Sequence, residues 1–286
     1  MYPRLSPDGT RVALDVRDQD QDIWIWDLAR EALTRFTFDA AQDGYPVWTP
    51  DGRRLVFASD RTGQLNLFWQ AADGTGTVDR LTESPNQQRP SAFSPDGTRL
   101  VFREDRPTAN AVTNGQVGSV QGRDLALLAV AGQQPVEPLV HTRFLEANGE
   151  ISPDGRWLAY QSNESGQDEI YVRPFPEIDR GRWPISTGGG SRPLWAPHGK
   201  ELFYLGPSGA VMSVPVQGGS TFTAGNPTKL FEGYFLGGGA SGRTYDVSPD
   251  GQRFLMIKEL GGSAVAPTIV VIQNWTEELK AKVPTP

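Results

Sequence analysis

No cysteine occurs anywhere in the chain, which removes disulfides, thiol nucleophiles and cysteine-ligated zinc together. It leaves the compartment open. Histidine is nearly as scarce: only His141 and His198 could serve as a general base, and no Gly-x-Ser-x-Gly elbow is present, so a serine triad has little to be built from. No apolar run approaches the length of a membrane helix, and no basic segment, apolar run and cleavage site follow Met1. We expect no membrane insertion of this chain, and any targeting segment to have been removed or to belong to a longer precursor. Positive charge is in deficit, with 27 Lys and Arg against 34 Asp and Glu, a net charge of -7 and a pI near 5.0. A nucleic-acid partner needs a continuous cationic surface to release counterions, so none is expected. Lysine is scarce and arginine dominates, which suits planar recognition of carboxylates or phosphates as well as salt bridges.

What the chain has in abundance is one corner, written six times: Ser6-Pro7-Asp8-Gly9, Thr49-Pro50-Asp51-Gly52, Ser94-Pro95-Asp96-Gly97, Ser152-Pro153-Asp154-Gly155, Ala196-Pro197-His198-Gly199 and Ser248-Pro249-Asp250-Gly251. From proline to proline the steps are 43, 45, 58, 44 and 52 residues. Proline fixes φ at the second turn position, Asp tolerates the third, and Gly takes the left-handed conformation that follows. Each corner precedes an apolar strand such as Arg54-Leu55-Val56-Phe57 or Trp157-Leu158-Ala159-Tyr160. A third strand follows, such as Asn66-Leu67-Phe68-Trp69, and then a short fourth, such as Thr228-Lys229-Leu230-Phe231. Four antiparallel strands repeated at this period predict an all-β, six-bladed β-propeller in a single domain. The expected blades are about 1–42, 43–87, 88–146, 147–189, 190–241 and 242–275, with a C-terminal tail over 276–286. The last blade reads as incomplete, because Asn274 to Lys282 looks like a helix or tail, so we expect a propeller fragment of a larger polypeptide.

The corner and its strands resemble the WD40-like, Pro-Asp-Gly (PD40) repeat of the TolB-like propeller family. Arg4-Leu5-Ser6-Pro7-Asp8-Gly9, Trp69-Gln70-Ala71-Ala72-Asp73-Gly74, Tyr160 to Gly166, Tyr171 to Pro176 and Asn274 to Leu279 further resemble propeller regions attached to some bacterial membrane-tethered serine/threonine kinases. No kinase motif accompanies them. The resemblance implies a sensing or interaction region in the periplasm or at the bacterial cell surface.

In a propeller, function sits where the innermost strands begin, ahead of the corners. Aligning on the corner proline places Leu5, Trp48, Phe93, Ile151, Trp195 and Val247 two positions earlier, where they are expected to pack between blades. One position before these, Arg4, Glu150 and Asp246 are the polar exceptions. The candidate channel-mouth residues are Tyr45, Arg89, Asn148, Glu150, Arg192, Arg243, Tyr245 and Asp246. Three readings follow. Arg89, Arg192 and Arg243 with Tyr45 and Tyr245 would bind a small anion or a peptide terminus, making the chain a non-catalytic module for a protein, peptide or anionic ligand with no cofactor. Asn148, Glu150 and Asp246 would instead hold Ca²⁺ or another divalent cation in the channel and polarise a lactone, ester or phosphotriester. In the third reading these charges form an internal salt-bridge network in a purely structural scaffold.

Other features read as local structure. Asp18-Gln19-Asp20-Gln21-Asp22 alternates carboxylates like a calcium loop but has Ile23 where glycine is required, so a solvated turn is expected. Gly188-Gly189-Gly190 and Gly237-Gly238-Gly239 are expected to be flexible connections. The long third step predicts a protruding loop from Arg106 to Arg123.

Overall fold

The computed structural model describes residues 1–17, 21–113, 116–130, 135–219, 221–233, 242–258 and 268–272. They form six antiparallel sheets in chain order, each starting from the strand that runs into a corner: Arg4–Leu5, Asp43–Trp48, Gln87–Phe93, Glu146–Ile151, Ser191–Trp195 and Tyr245–Val247. Four sheets have four strands. The fifth carries an extra strand, Phe222–Ala224, because the long strand Val211–Gly218 pairs there with Phe222–Ala224 at one end and Thr228–Phe231 at the other. Three strands of the sixth lie among the described residues; the expected helix or tail after Asn274 lies outside them. Arg4–Leu5 pairs with Val12 and Ala13 in sheet one.

The corners behave as their chemistry requires. In the first, the Gly9 N–H donates to the Ser6 carbonyl at 2.8 Å, Gly9 has φ 70°, and the Ser6 hydroxyl accepts the Arg11 N–H at 2.9 Å while donating to Asp8 Oδ1. Asp8 Oδ1 also accepts the Thr10 N–H at 3.0 Å. At the fifth corner, the exposed turn residue His198 does the aspartate's work, its Nδ1 accepting the Lys200 N–H at 3.1 Å.

Alternation along the second strands explains why they read as unbroken apolar runs. Leu55 and Phe57 face sheet one, Val56 faces sheet three, and each set is buried in a different cluster. Repeated around the chain, this places a hydrophobic cluster between every consecutive pair of sheets, and Val12, Leu14 and Leu255 join sheet one to sheet six. Trp48, Phe93, Ile151, Trp195 and Val247 are buried as expected, and Leu5 is half-buried against the sheet one–six cluster. Two of them also tie neighbouring first strands: Trp48 Nε1 donates to the Arg4 carbonyl and Trp195 Nε1 to the Glu150 carbonyl, each at 3.0 Å.

The expected loop of the third sheet is strand instead. Arg99–Thr113 and Gln116–Ala129 stay paired out to Thr113 opposite Gln116, so the extra residues extend one hairpin beyond the sheet. In the sequence, an Asn-Gly pair at 114–115 is a hairpin signal. Gly188 and Gly189 are not loose connections either, since both N–H groups donate to Glu169 Oε1 at 2.8 Å. The run 237–239 lies outside the described residues, as do 18–20 of the carboxylate run. Asp22, expected in a solvated turn, is buried and held by Arg35 at 2.6 Å and the Thr37 hydroxyl at 3.1 Å.

Candidate functional site

The first strand of each sheet ends at its corner, so six strand beginnings converge at the opposite end. Three share an irregularity. Tyr45, Asn148 and Arg192 have φ of 59°, 54° and 55°, and each lies at the same distance ahead of its corner proline, Pro50, Pro153 and Pro197. Pairing slips at the same places, between Gly44 and Val47, Ala147 and Glu150, and Ser191 and Leu194. These are β-bulges, which re-aim a side chain. Left-handed backbone in a non-glycine residue costs on the order of 1 kcal/mol or more at each position.

The bulges feed a narrow throat. Arg4, Tyr45, Arg89, Arg103, Asn148, Glu150 and Arg243, drawn from sheets one, two, three, four and six, line a cavity of about 10 Å³, room for roughly one water. Arg243 Nη1 lies 3.5 Å from both Glu150 Oε1 and Asp246 Oδ1. Asp246 also accepts the Leu5 N–H at 2.8 Å, linking sheet six to sheet one. Arg4 Nη1 donates to the Arg243 carbonyl at 2.9 Å. On the other side, Asp105 pairs with Arg89 and lies 2.8 Å from Arg103 Nε. The Arg89 guanidinium sits 5.3 Å from the centre of the Tyr45 ring, which stacks on Tyr2 at 4.5 Å.

Burial governs the electrostatics. It drives Arg4 down to about 10, helped by the neighbouring charge of Arg243, and it pushes Glu150 up against the pull of Arg243 and Arg4. Burial opposes the charge of Arg243, yet Asp246 and Glu150 hold its pKa above the ordinary value.

Of the eight candidates, Tyr45, Arg89, Asn148, Glu150 and Arg243 share this throat. Arg192 lines a different cavity and donates from Nε to the Gly242 carbonyl at 2.8 Å. Tyr245 is wholly buried, its hydroxyl donating to the Arg192 carbonyl at 2.9 Å, so it supports the site from behind. The three candidate metal ligands are engaged elsewhere: Glu150 and Asp246 face Arg243, and Asn148 Nδ2 donates to Gln161 Oε1 at 2.8 Å. Among the described residues, no group of three His, Asp or Glu side chains is placed to hold a metal ion. His141 lies outside the throat, exposed and 2.9 Å from Asp124. Arg103 and Asp105 were missed; their only signal was charge inside an apolar strand. Tyr2 carried none.

Residues 1–132 match the family of the TolB beta propeller domain, PD40. An uncharacterised protein of Agrobacterium fabrum is 38% identical over 80 residues, 28% of this chain and 27% of that protein. Among solved structures, TolB from Acinetobacter baumannii superposes with a TM-score of 0.67 at 17% identity, over 94% of this chain and 62% of that one. An oligogalacturonate lyase in complex with manganese superposes with a TM-score of 0.61 at 12% identity, over 96% and 88%. The chain thus spans less than two thirds of the first two relatives. Among the described residues, no helix is long and apolar enough to cross a membrane. The match over residues 1–132 and these superpositions together give the chain the β-propeller fold of the TolB kind.

Proposed function

We propose that the chain is one six-bladed propeller acting as a non-catalytic binding or sensing module, and that it receives a protein, a peptide or a small anionic ligand at the mouth where the first strands begin. The observation that carries this reading is the left-handed bulge repeated at Tyr45, Asn148 and Arg192, because strain of this kind persists where the surrounding structure holds it for a purpose. A ring of six is supported by the corners. A Cβ on the glycine of each corner would touch the proline of the preceding one, Gly52 against Pro7 and so on round to Gly9 against Pro249. The partial coverage of the relatives supports a module of a longer bacterial protein, and the family resemblance supports an extracytoplasmic location.

The manganese-holding lyase keeps a metal-dependent hydrolase in view. Here the three residues that would hold the cation fit poorly, since it would have to displace Arg243 from Glu150 and Asp246, and the throat has no room for a substrate. The scaffold reading explains the ion pairs but not the bulges.

The test is hydrolysis of lactone, aryl ester, phosphotriester and sulfate ester substrates, with and without EDTA and with added Ca²⁺, Mn²⁺ or Zn²⁺. In parallel, a displayed random-peptide library is selected on the chain. We expect no turnover, and peptides whose binding is lost on Tyr45→Ala. Turnover abolished by EDTA and by Glu150→Gln or Asp246→Asn would overturn the module.

A further inference from the structure

Resting on that module reading, we propose that the channel throat is a carboxylate site, built to take one carboxylate group end-on between Arg4, Arg89 and Arg243. Three observations converge. First, Nε of Arg4, Arg89 and Arg243 and Nη1 of Arg243 are buried and make no hydrogen bond, although Arg4 and Arg243 are only 7% and 6% exposed. A buried donor left unmade costs about 1–3 kcal/mol, and several gathered at one cavity ask for a shared acceptor.

Second, the charges do not balance. Arg4, Arg89, Arg103 and Arg243 face Asp105, Glu150 and Asp246. Asp105 is taken by Arg89 and Arg103, and Asp246 has one oxygen on the Leu5 N–H and the other on the Val247 N–H at 3.0 Å. Glu150, itself held towards its neutral form by burial, shares Arg243 with Asp246. Four guanidinium groups thus share three carboxyl groups at the throat, and burial, with the charge of Arg243 after it, lowers the pKa of Arg4.

Third, the space selects the ligand. A cavity of about 10 Å³ admits one oxygen-sized group, so a ligand enters end-on by a single oxygen, and a flat carboxylate needs less width there than a tetrahedral phosphate or a ring. Planar guanidinium groups match a carboxylate. Tyr45, stacked on Tyr2 and lying under Arg89, lines the same cavity and offers an apolar wall to whatever carries the group. The carboxylate comes either from a small free acid or from the C-terminus of a partner peptide, a recurrent mode of peptide capture.

The full chain is titrated with sodium acetate, chloride and phosphate at constant ionic strength, reading the thermal unfolding midpoint and the heat of binding. It is then titrated with Gly-Gly-Gly-Ala as the free acid and as the C-terminal amide. Acetate is expected to bind saturably and phosphate not at all. The isosteric Glu150→Gln, which removes the competing carboxylate without emptying the throat, should tighten acetate on the order of tenfold. Arg243→Met should abolish the response. Binding of the free-acid peptide in competition with acetate, with none of the amide, identifies a peptide terminus as the source; acetate binding with neither peptide identifies a free acid. No acetate response in either the parent chain or Glu150→Gln overturns the site and leaves a water in the throat. Equal binding of both peptides without acetate competition overturns it too, yet leaves the module reading standing, which only turnover in the hydrolysis panel removes.

Discussion

The two ends of the sheets hold their polar groups in opposite ways. At the corner end, Asp8, Asp51, Asp96 and Asp250 stay near solvent, and the neighbouring hydroxyl and backbone N–H groups hold each carboxyl below its usual pKa. The motif is complete within six residues, so it repeats unchanged wherever the sequence repeats. At the mouth end, Glu150 and Glu146 are pushed up by burial, guanidinium groups lack full sets of partners, and the backbone is left-handed at residues other than glycine. The corner end is satisfied and periodic, and the mouth end is strained and individual. The corners serve closure of the sheets, and the mouth is where we propose that recognition sits.

The largest effect should come from breaking the mouth's charge balance. Asp246→Ala removes a partner of buried Arg243 and the acceptor of the Leu5 N–H, and is expected to cost about 3–5 kcal/mol in urea unfolding. A loss below about 1 kcal/mol would mean that the mouth network carries little of the sheet one–six contact.

The corners provide the next test. Gly9 and Gly52 have nearly the same φ, but a Cβ would lie 3.0 Å from Pro249 at the first and 3.6 Å from Pro7 at the second. Both alanine substitutions lose the left-handed preference, about 1–2 kcal/mol, and Gly9→Ala should lose clearly more because the proline there must also give way. Equal losses would show that the sheet one–six corner is no tighter than the others.

The pH dependence separates the two ends by sign. Glu146 is raised to about 7, first by burial and then by Asp124 and Glu164, so the folded chain keeps a proton that the unfolded chain releases near 4.5. Stability contributed by Glu146 is therefore present in acid and lost as the pH rises from about 4.5 to about 7. The corner aspartates act the other way, contributing above the usual carboxylate pKa and losing it as the pH falls. Unfolding curves between pH 5 and pH 8 should slope downwards for the parent chain and flatten for Glu146→Gln; an unchanged slope would remove Glu146 as its source.

The smallest effect is expected at Asn148. Glycine relieves the left-handed strain but gives up the bond to Gln161, so Asn148→Gly should stay within about 1 kcal/mol of the parent while weakening ligand capture at the mouth. A large destabilisation would make the bulge a structural necessity.

The sheets were legible because their signals are local. Leu55 and Phe57 alternate with Val56 in any solvent, and Pro50 and Gly52 specify their turn without reference to anything distant. The candidate list at the mouth was legible in part, since alignment on the corner proline singled out Glu150 and Asp246 and pointed to the segments ahead of each corner. Tyr245 was placed at the mouth and lies behind it, because residues adjacent in an inner strand face opposite ways. Arg103, Asp105 and Tyr2 were not legible, since each reaches the throat from a strand or terminus whose own pattern says nothing of it.

The sequence alone determined the number of corners, the strands that leave them and the faces those strands bury, because proline, glycine and apolar alternation act over a handful of residues. The tertiary structure decided which charges meet. Arg4 reaches the carbonyl of Arg243 and Asp246 receives the Leu5 N–H, contacts between opposite ends of the chain that exist only once the ring brings its first and sixth sheets together. Burial then sets the charge balance and proton affinities of the throat, and burial is a property of the assembled ring that no single segment carries.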